Sequence, residues 1–433
     1  MTATPARGAL SPRAARRVFL TLTVTRWFPV GLVVGLITLL ALQRGLTVAQ
    51  ALTTSSVTGF VVFALELPTS GFADVFGRKP VYVVAALVNV AAAAVYLTAH
   101  SFWAFVLGAA LMGVFRALDS GPLEAWYVDT VHAHDPGADV DRALSLQGML
   151  LGAGIAGGAL VSGALIWWHP LPGRPALVLP YVVYVVLNVV HVAAVLLLLR
   201  EPRPSAEATG VARAWASTKD APVVVRDGLH LLRDNTVLRC IVLVEVFWSI
   251  AMVVFETFQP IRLSELVGGE SEAGAIMGPV AAAGWGVFAA GSALAGLLAP
   301  RIGVTRTAMV SRVLNGTGAV VMGLVAGPLA LIAAYLVTYG LHGTAGPMHS
   351  TLLHREAQAR NRATVLSINS MVAFAAFSVA APALGVLAGA VSTQAAMVSA
   401  GAVSILGAAF YVPALRRERE DGVGMPLPTA DPA

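Results

Sequence analysis

Residues 71–80 read GFADVFGRKP, placing a carboxylate and two cations within ten residues of a chain that is 57% hydrophobic and only 12% charged. The stretch lies between two long apolar runs, and the reason for its charge decides the fold. A soluble chain of 433 residues with a mean hydropathy of +0.77 would be hard to keep in solution, so the sequence reads as a membrane protein. Apolar stretches of about 20 residues, enough to cross a hydrocarbon core of about 30 Å as helix, recur along the whole length. Twelve are found, at 18–42, 47–71, 80–99, 101–128, 143–168, 176–199, 238–262, 273–299, 307–327, 328–353, 363–390 and 393–415. This places GFADVFGRKP in water, at the turn between the second and third spans.

The basic charge follows the same topology. Lys79 and Lys219 are the only lysines, and arginine supplies the rest of the 28 cations and a pI near 9.6. With both termini cytoplasmic, Arg44, Arg174 and Arg262 fall outside and Arg26, Arg116 and Arg312 within spans; all the others lie inside. That bias sets the orientation by the positive-inside rule and makes nucleic-acid binding an unneeded explanation. Met1 to Arg17 runs into the first span without a cleavage-site pattern and reads as a tail, not a removable signal. Cys240 is the one cysteine, so neither an internal disulfide nor a cysteine-based metal cluster is expected. The chain shows no nucleotide-binding loop, no metal-ligand spacing and no serine-nucleophile elbow; no metal, no cofactor and no enzyme activity are indicated.

One long polar interval, Glu201–Arg239, divides the spans six against six. Val223, Val225, Leu229, Leu232 and Val237 recur there at helical spacing, which predicts an amphipathic helix on the cytoplasmic surface. The organisation is a tail at 1–17, a six-helix half at 18–199, a cytoplasmic loop at 200–237, a second half at 238–415 and a tail at 416–433. The halves echo each other. Gly303 in GLLAPRIGVTR answers Gly77 at an offset of 226, Gly346-Pro347 answers Gly121-Pro122 at 225, and NRATV at 361 answers DRALS at 141. Three ordered pairs with nearly constant spacing indicate a duplicated unit.

On these residues the chain resembles a major facilitator superfamily transporter over essentially its full length. The superfamily's signature between helices two and three has the pattern Gly-x-Leu-Ala-Asp-Arg-x-Gly-Arg-Arg. Ala73, Asp74, Gly77, Arg78 and Lys79 match it, whereas Ser70 and Val75 stand where Gly and Arg belong; the second copy keeps Gly296, Leu298, Ala299, Arg301 and Gly303 but has Pro300 for the Asp. The resemblance implies two pseudo-symmetric six-helix bundles, an all-α fold, and a gate made of Asp74, Gly77, Arg78 and Lys79. In it Asp74 would sit at the N-terminus of helix eleven beside Arg362, where the helix dipole favours an anion.

Ionisable groups at membrane depth are costly and usually face a cavity. RALDSG at 116–121 is similar to the superfamily's helix-four motif Arg-x-Leu-Gln-Gly, which is tied to proton coupling; Arg116 and Leu118 match, with Asp119 in place of Gln. Three residues apart, Arg116 and Asp119 are expected to pair, either as a proton switch or as a static pair that makes burial tolerable. Arg116, Asp119, Glu124 and Glu66 are the proton-coupling candidates. Arg26 and Glu245 lie at similar depth on spans one and seven and could link the halves in one conformation, while Arg312 reads as snorkelling. Arg26, Trp27, Glu245, Trp248, Glu256 and His342 are the cavity candidates, and His191 reads as an interhelical polar contact.

QGMLLGAGIAGGALVSG in span five keeps Gly157-Gly158 of the exporters' Gly-Pro-x-x-Gly-Gly motif but replaces Gly-Pro by Ala153-Gly154, and small residues for close packing explain the run equally well. Taken together, the sequence is similar to the 12-helix proton-coupled drug exporters: a monomeric, multi-pass plasma-membrane antiporter moving a small lipophilic compound outward by alternating access, driven by the proton gradient. A proton-linked uptake permease is the first rival. A non-transporting receptor or sensor on the same fold is the second.

Overall fold

The computed structural model describes residues 10–70, 72–201, 226, 228–358 and 361–420. The first nine residues, most of the interdomain loop and the end of the C-terminal tail lie outside them, as does the side chain of Asp74. The chain is all helix, with no strand among the described residues. Among the described residues twelve long helical segments follow in order: α1 (Pro12–Gln43), α2 (Val48–Ser70), α3 (Arg78–Thr98), α4 (Phe102–His132), α5 (Asp141–Trp168), α6 (Val178–Leu198), α7 (Thr236–Val267), α8 (Glu270–Ile302), α9 (Val304–Leu324), α10 (Pro328–Glu356), α11 (Arg362–Ala390) and α12 (Thr393–Glu420). Eleven meet the length and hydropathy needed to cross a membrane. The twelfth, α9, carries Arg306 and Arg312 within its 21 residues and is the less apolar for it.

Helix is the outcome because hydrocarbon offers no partner to a backbone N–H or C=O, so each span must satisfy its own. The ends are closed by side chains. Ser11, Ser101, Asn235 and Ser392 accept from the backbone N–H three residues on, at 3.4, 3.3, 3.0 and 3.1 Å. At the other end of α3, the Arg44 guanidinium donates to the carbonyls of Tyr96 (2.8 Å), Leu97 (2.7 Å) and Ala99, placing a cation on the negative helix terminus. The outer faces are apolar, as at Leu197, Leu329 and Val337, and the exposed Trp103, Trp167 and Trp168 sit at helix ends, where indoles favour the membrane interface.

Two compact units are formed, Met1–Val223 with Val267–Ala282, and Val224–Leu266 with Ala283–Ala433. In the first, α1 packs on α5 and α6, and α4 on α2 and α3; in the second, α9 packs on α10 and α12, and α7 on α11 and α12. Glycine makes the closest approach possible. A Cβ on Gly158 would collide with Phe28 O, and one on Gly31 with Ile155 O, so α1 and α5 touch backbone to backbone.

The internal repeat is visible in the backbone. Gly77 (φ 94°, ψ 154°) and Gly303 (φ 90°, ψ 152°) cap α3 and α9 in the same positive-φ conformation, which only glycine adopts without strain. The Gly-Pro pairs have diverged. Gly121 (φ 91°) interrupts α4 between Asp119 and Pro122, whereas Gly346 and Pro347 sit within an unbroken α10. Residues 228–234 are helical; of the expected apolar face, Leu232 and Val237, with Leu231, pack on the core of the second unit, Leu229 is 59% exposed, and Val223 and Val225 lie outside the described residues.

Gly158→Val is expected to lower the thermal stability of the purified protein by at least several degrees, or to prevent its accumulation. Gly148→Val, on the same helix and facing open space, should leave it unchanged in a fluorescence-detected melting assay. Equal effects would exclude backbone contact between α1 and α5 as the reason for the glycine.

Candidate functional site

Each unit buries one ionic cluster between its helices. In the first unit, Arg26 on α1 donates through Nε (3.0 Å) and Nη2 (2.9 Å) to one carboxylate oxygen of Asp119, the last residue before the break in α4. Its guanidinium also lies over the rings of Phe115 (4.4 Å) and Trp27 (4.6 Å). Arg26 is 5% exposed, and removing one partner of so buried a pair costs about 3–5 kcal/mol. The aromatic faces contribute a further ~0.5–2 kcal/mol toward holding the cation.

The expected pairing of Arg116 with Asp119 is therefore corrected: the aspartate is turned to Arg26 on α1, and Arg116 lies on an exposed face of α4. The physical reason is burial: both residues lie in the helical part of α4 that ends at Asp119, but the buried Arg26 puts two N–H groups on one oxygen of Asp119, whereas Arg116 is exposed. Glu124 begins the second part of α4 and accepts from Gln147 Nε2 at 2.5 Å, while Glu66 is half-buried near the end of α2.

Around the pair stand polar groups that the sequence did not single out for this role. Thr25 and His191 Nδ1 are 2.9 Å apart, and the His191 ring meets Tyr82 edge-on at 5.7 Å. Arg26 Nη1, Tyr82 OH and His191 Nε2 are buried and have no hydrogen-bond partner among the described residues. Three unsatisfied polar atoms by one ion pair are costly to keep in a packed interior, and such groups mark a function or a bound water.

In the second unit the cluster draws on five helices. Glu245 on α7 is contacted by Arg312 Nη2 of α9 at 3.5 Å and by His349 Nε2 of α10 at 2.9 Å; His349 also meets Asn369 Oδ1 of α11 at 3.1 Å and Tyr411 OH of α12 at 2.7 Å. Arg26 and Glu245 each have an ionic partner within their own unit. One expectation is overturned here: Arg312 does not snorkel, but is 6% exposed, lies 4.9 Å over the Trp248 ring and faces Glu245. His349, Asn369 and Tyr411 were missed. The repeat held the signal, because His349 answers Glu124 at the offset of 225 that relates the Gly-Pro pairs, and Tyr411 answers His191 at the 220 that relates DRALS to NRATV.

Next to this cluster is an aromatic wall. Trp248 stacks on His342 at 5.2 Å, and His342 meets Phe288 (5.3 Å), Phe255 (5.4 Å) and Tyr339 (5.7 Å). α7 widens into a π-helical turn at Val254–Phe258, a feature frequent at functional sites. The turn presents Glu256 on an exposed face, where Tyr339 OH donates to it at 3.3 Å.

At the gate residues, the backbone N–H groups of Arg78 (2.7 Å) and Lys79 (2.8 Å) donate to the two carboxylate oxygens of Glu201, and the Arg78 side chain meets Asp129 at 3.3 Å. The second copy repeats the device: Glu418 accepts from Thr305 N (3.3 Å) and pairs with Arg355 (3.0 Å). A carboxylate at the end of each unit's sixth helix thus caps the third helix of that unit, using the positive helix terminus. Arg362 is exposed at the start of α11.

The sequence matches the Major Facilitator Superfamily over residues 19–353, and the chain belongs to that family of transporters. No curated protein sequence is matched. Among solved structures, it is similar to the nucleoside transporter NupG (12% identity, 93% of this chain and 99% of that one, TM-score 0.74). Similar too are a bacterial homolog of the human lysosomal transporter Spinster in an inward-facing, unoccupied conformation (14%, 96% and 99%, 0.74) and a mutant form of the peptide transporter POT (13%, 95% and 99%, 0.72). At such identities the likeness is one of fold.

Arg26→Gln and Asp119→Asn should each lower the melting temperature, with the double variant no less stable than the worse single one. The coupling expected of touching charges is about 0.5–3 kcal/mol. Additive losses in that cycle would mean that the two side chains stabilise the unit independently.

Proposed function

We propose that the chain is a proton-driven exporter of a small lipophilic compound, working by alternating access as a monomer in the plasma membrane with both termini cytoplasmic. The observation that carries this reading is the Arg26–Asp119 pair, a titratable acid at membrane depth held against a cation that can tolerate its loss. When Asp119 takes a proton, the charge pair ends, and Arg26 stays charged between Phe115 and Trp27. A proton then weakens the tie between α1 and α4, at a cost that the aromatic faces offset in part, and so biases the equilibrium between conformations. The aromatic wall of Trp248, Phe255, Phe288 and His342, with the exposed Glu256 beside it, suits a flat apolar compound. Asp74 is the gating acid of this scheme, with Glu201 fixing the backbone of its loop.

Uptake is the competing direction, since nucleoside and peptide transporters share the fold. A compound-resistance panel in a pump-deleted host, with and without dissipation of the pH gradient, separates the two. Export predicts resistance that disappears with the gradient; sensitisation to a compound would indicate uptake. In proteoliposomes, Asp119→Asn is expected to abolish pH-driven transport of a compound found in that panel while leaving passive exchange. Unchanged pH-driven transport would remove Asp119 from the coupling scheme.

A further inference from the structure

Five helices of the second unit converge on His349, and its two ring nitrogens are differently placed. Nε2 lies between two acceptors, Glu245 Oε1 at 2.9 Å and Asn369 Oδ1 at 3.1 Å, and so carries a hydrogen. Nδ1 faces Tyr411 OH at 2.7 Å, a group that can donate or accept. With a neutral ring the hydroxyl donates to Nδ1; with an imidazolium Nδ1–H donates to the hydroxyl oxygen. Rotation of one O–H bond is enough to accommodate the added proton, and no heavy atom has to move.

The charge around the ring is balanced for such an exchange. Among the described residues, the titratable and charged groups facing His349 are Glu245, Arg312 and Tyr411, and those facing Glu245 are His349, Arg312 and His342. Arg312 contacts Glu245 only at 3.5 Å, and its Nε and Nη1 have no hydrogen-bond partner among the described residues. The carboxylate is thus held more closely by the histidine than by the arginine. Two titratable groups in such contact titrate as a pair and not independently.

A cavity also approaches the pair. A cavity of ≈ 350 Å³ at the arginine-rich end of the second unit is lined by Ile241, Leu352, Ala414, Arg355 and Arg417, together with the carboxylates of Glu356 and Glu418. Ile241 precedes Glu245 by one helical turn, and Leu352 and Ala414 follow His349 and Tyr411 by about one, so the cavity ends roughly 5 Å along the helices from the buried groups. Thr305, whose hydroxyl is buried without a partner among the described residues, lines the same space. The charged groups and the hydroxyl on its walls give water partners.

We propose that Glu245 and His349 form a proton-binding site of the second unit, filled through this cavity and separate from the Arg26–Asp119 pair of the first. Each unit then holds one titrating cluster, and a cycle that uses both moves two protons. The site rests on the proton-driven reading only for its use in transport, so proton binding is measured with no transported compound present.

The experiment is a pH titration of the full-length protein in lipid nanodiscs with ¹⁵N-labelled histidine rings. Subtracting the spectrum of His349→Gln identifies the His349 signals among the nine histidines. Those signals are expected to pass from the neutral to the imidazolium form as pH is lowered. The midpoint should fall by about 1–3 pH units in Glu245→Gln, which removes the neighbouring anion, and rise in Arg312→Gln, which removes the competing cation. Opposite shifts from two adjacent substitutions are not produced by a purely structural contact. A ring that stays neutral or stays charged throughout in the wild-type protein, whether or not the variants fold, would overturn the site. So would a midpoint indifferent to Glu245→Gln in a folded variant. Asp119→Asn should leave the titration in place even where it abolishes transport, so this site and the transport reading can fail separately.

Discussion

A charge in hydrocarbon must bring its own partner, and the interior of this protein is arranged around that requirement. Insertion of an arginine or a carboxylate costs ~2.5–3.5 kcal/mol or more at the centre of a span, and an unpaired one would drive a helix out of the membrane. The protein meets the cost by pairing across helices. Arg26 with Asp119 ties α1 to α4; Glu245 with Arg312 and His349 ties α7 to α9 and α10. In the proposed function the same contacts make the clusters responsive, since one proton on either would alter what holds several helices together.

The duplicated plan explains both the likeness and the difference between these clusters. Gly77 and Gly303 have nearly identical dihedral angles, and Glu201 and Glu418 cap equivalent helices, so the connections at that end of each unit were kept. The interiors diverged. At corresponding depth α1 carries the cation Arg26 where α7 carries the anion Glu245, and their partners reversed sign with them. A helix break at Gly121 follows Asp119 in the first unit, while the second keeps α10 whole and places His349 on it. The π-helical turn in α7 presents Glu256 beside the aromatic rings.

Hydropathy was enough to read the helices and their number, the glycines of the repeat the duplication, and the signature residues at 73–79 the family, by resemblance. These are local or additive properties, and a linear pattern carries them. The pairing of buried charges is not local. Spacing on one helix brings Arg116 near Asp119, yet a buried guanidinium from α1, stacked on two rings, takes the carboxylate. Arg312 lies near one end of a span and for that reason reads as reaching for water, but Trp248 and Glu245 hold it inside. His349 was legible only through the internal offset, as the counterpart of Glu124, because a lone histidine in an apolar helix has no distinguishing pattern. Glu201 was hidden for the opposite reason: it stands in a polar stretch where another carboxylate attracts no notice.

If the ion pairs are the working parts, the acid of the first pair must gain and lose a proton inside the membrane. Infrared difference spectroscopy of the purified protein in lipid, recorded across a pH step, reads that event directly. The account predicts a protonated-carboxyl C=O band that appears as pH is lowered and is missing in Asp119→Asn, with the loss confined to that band. A band unaffected by Asp119→Asn, or the absence of any such band in the wild-type protein, would show that the Arg26–Asp119 pair is a fixed strut and would contradict the account.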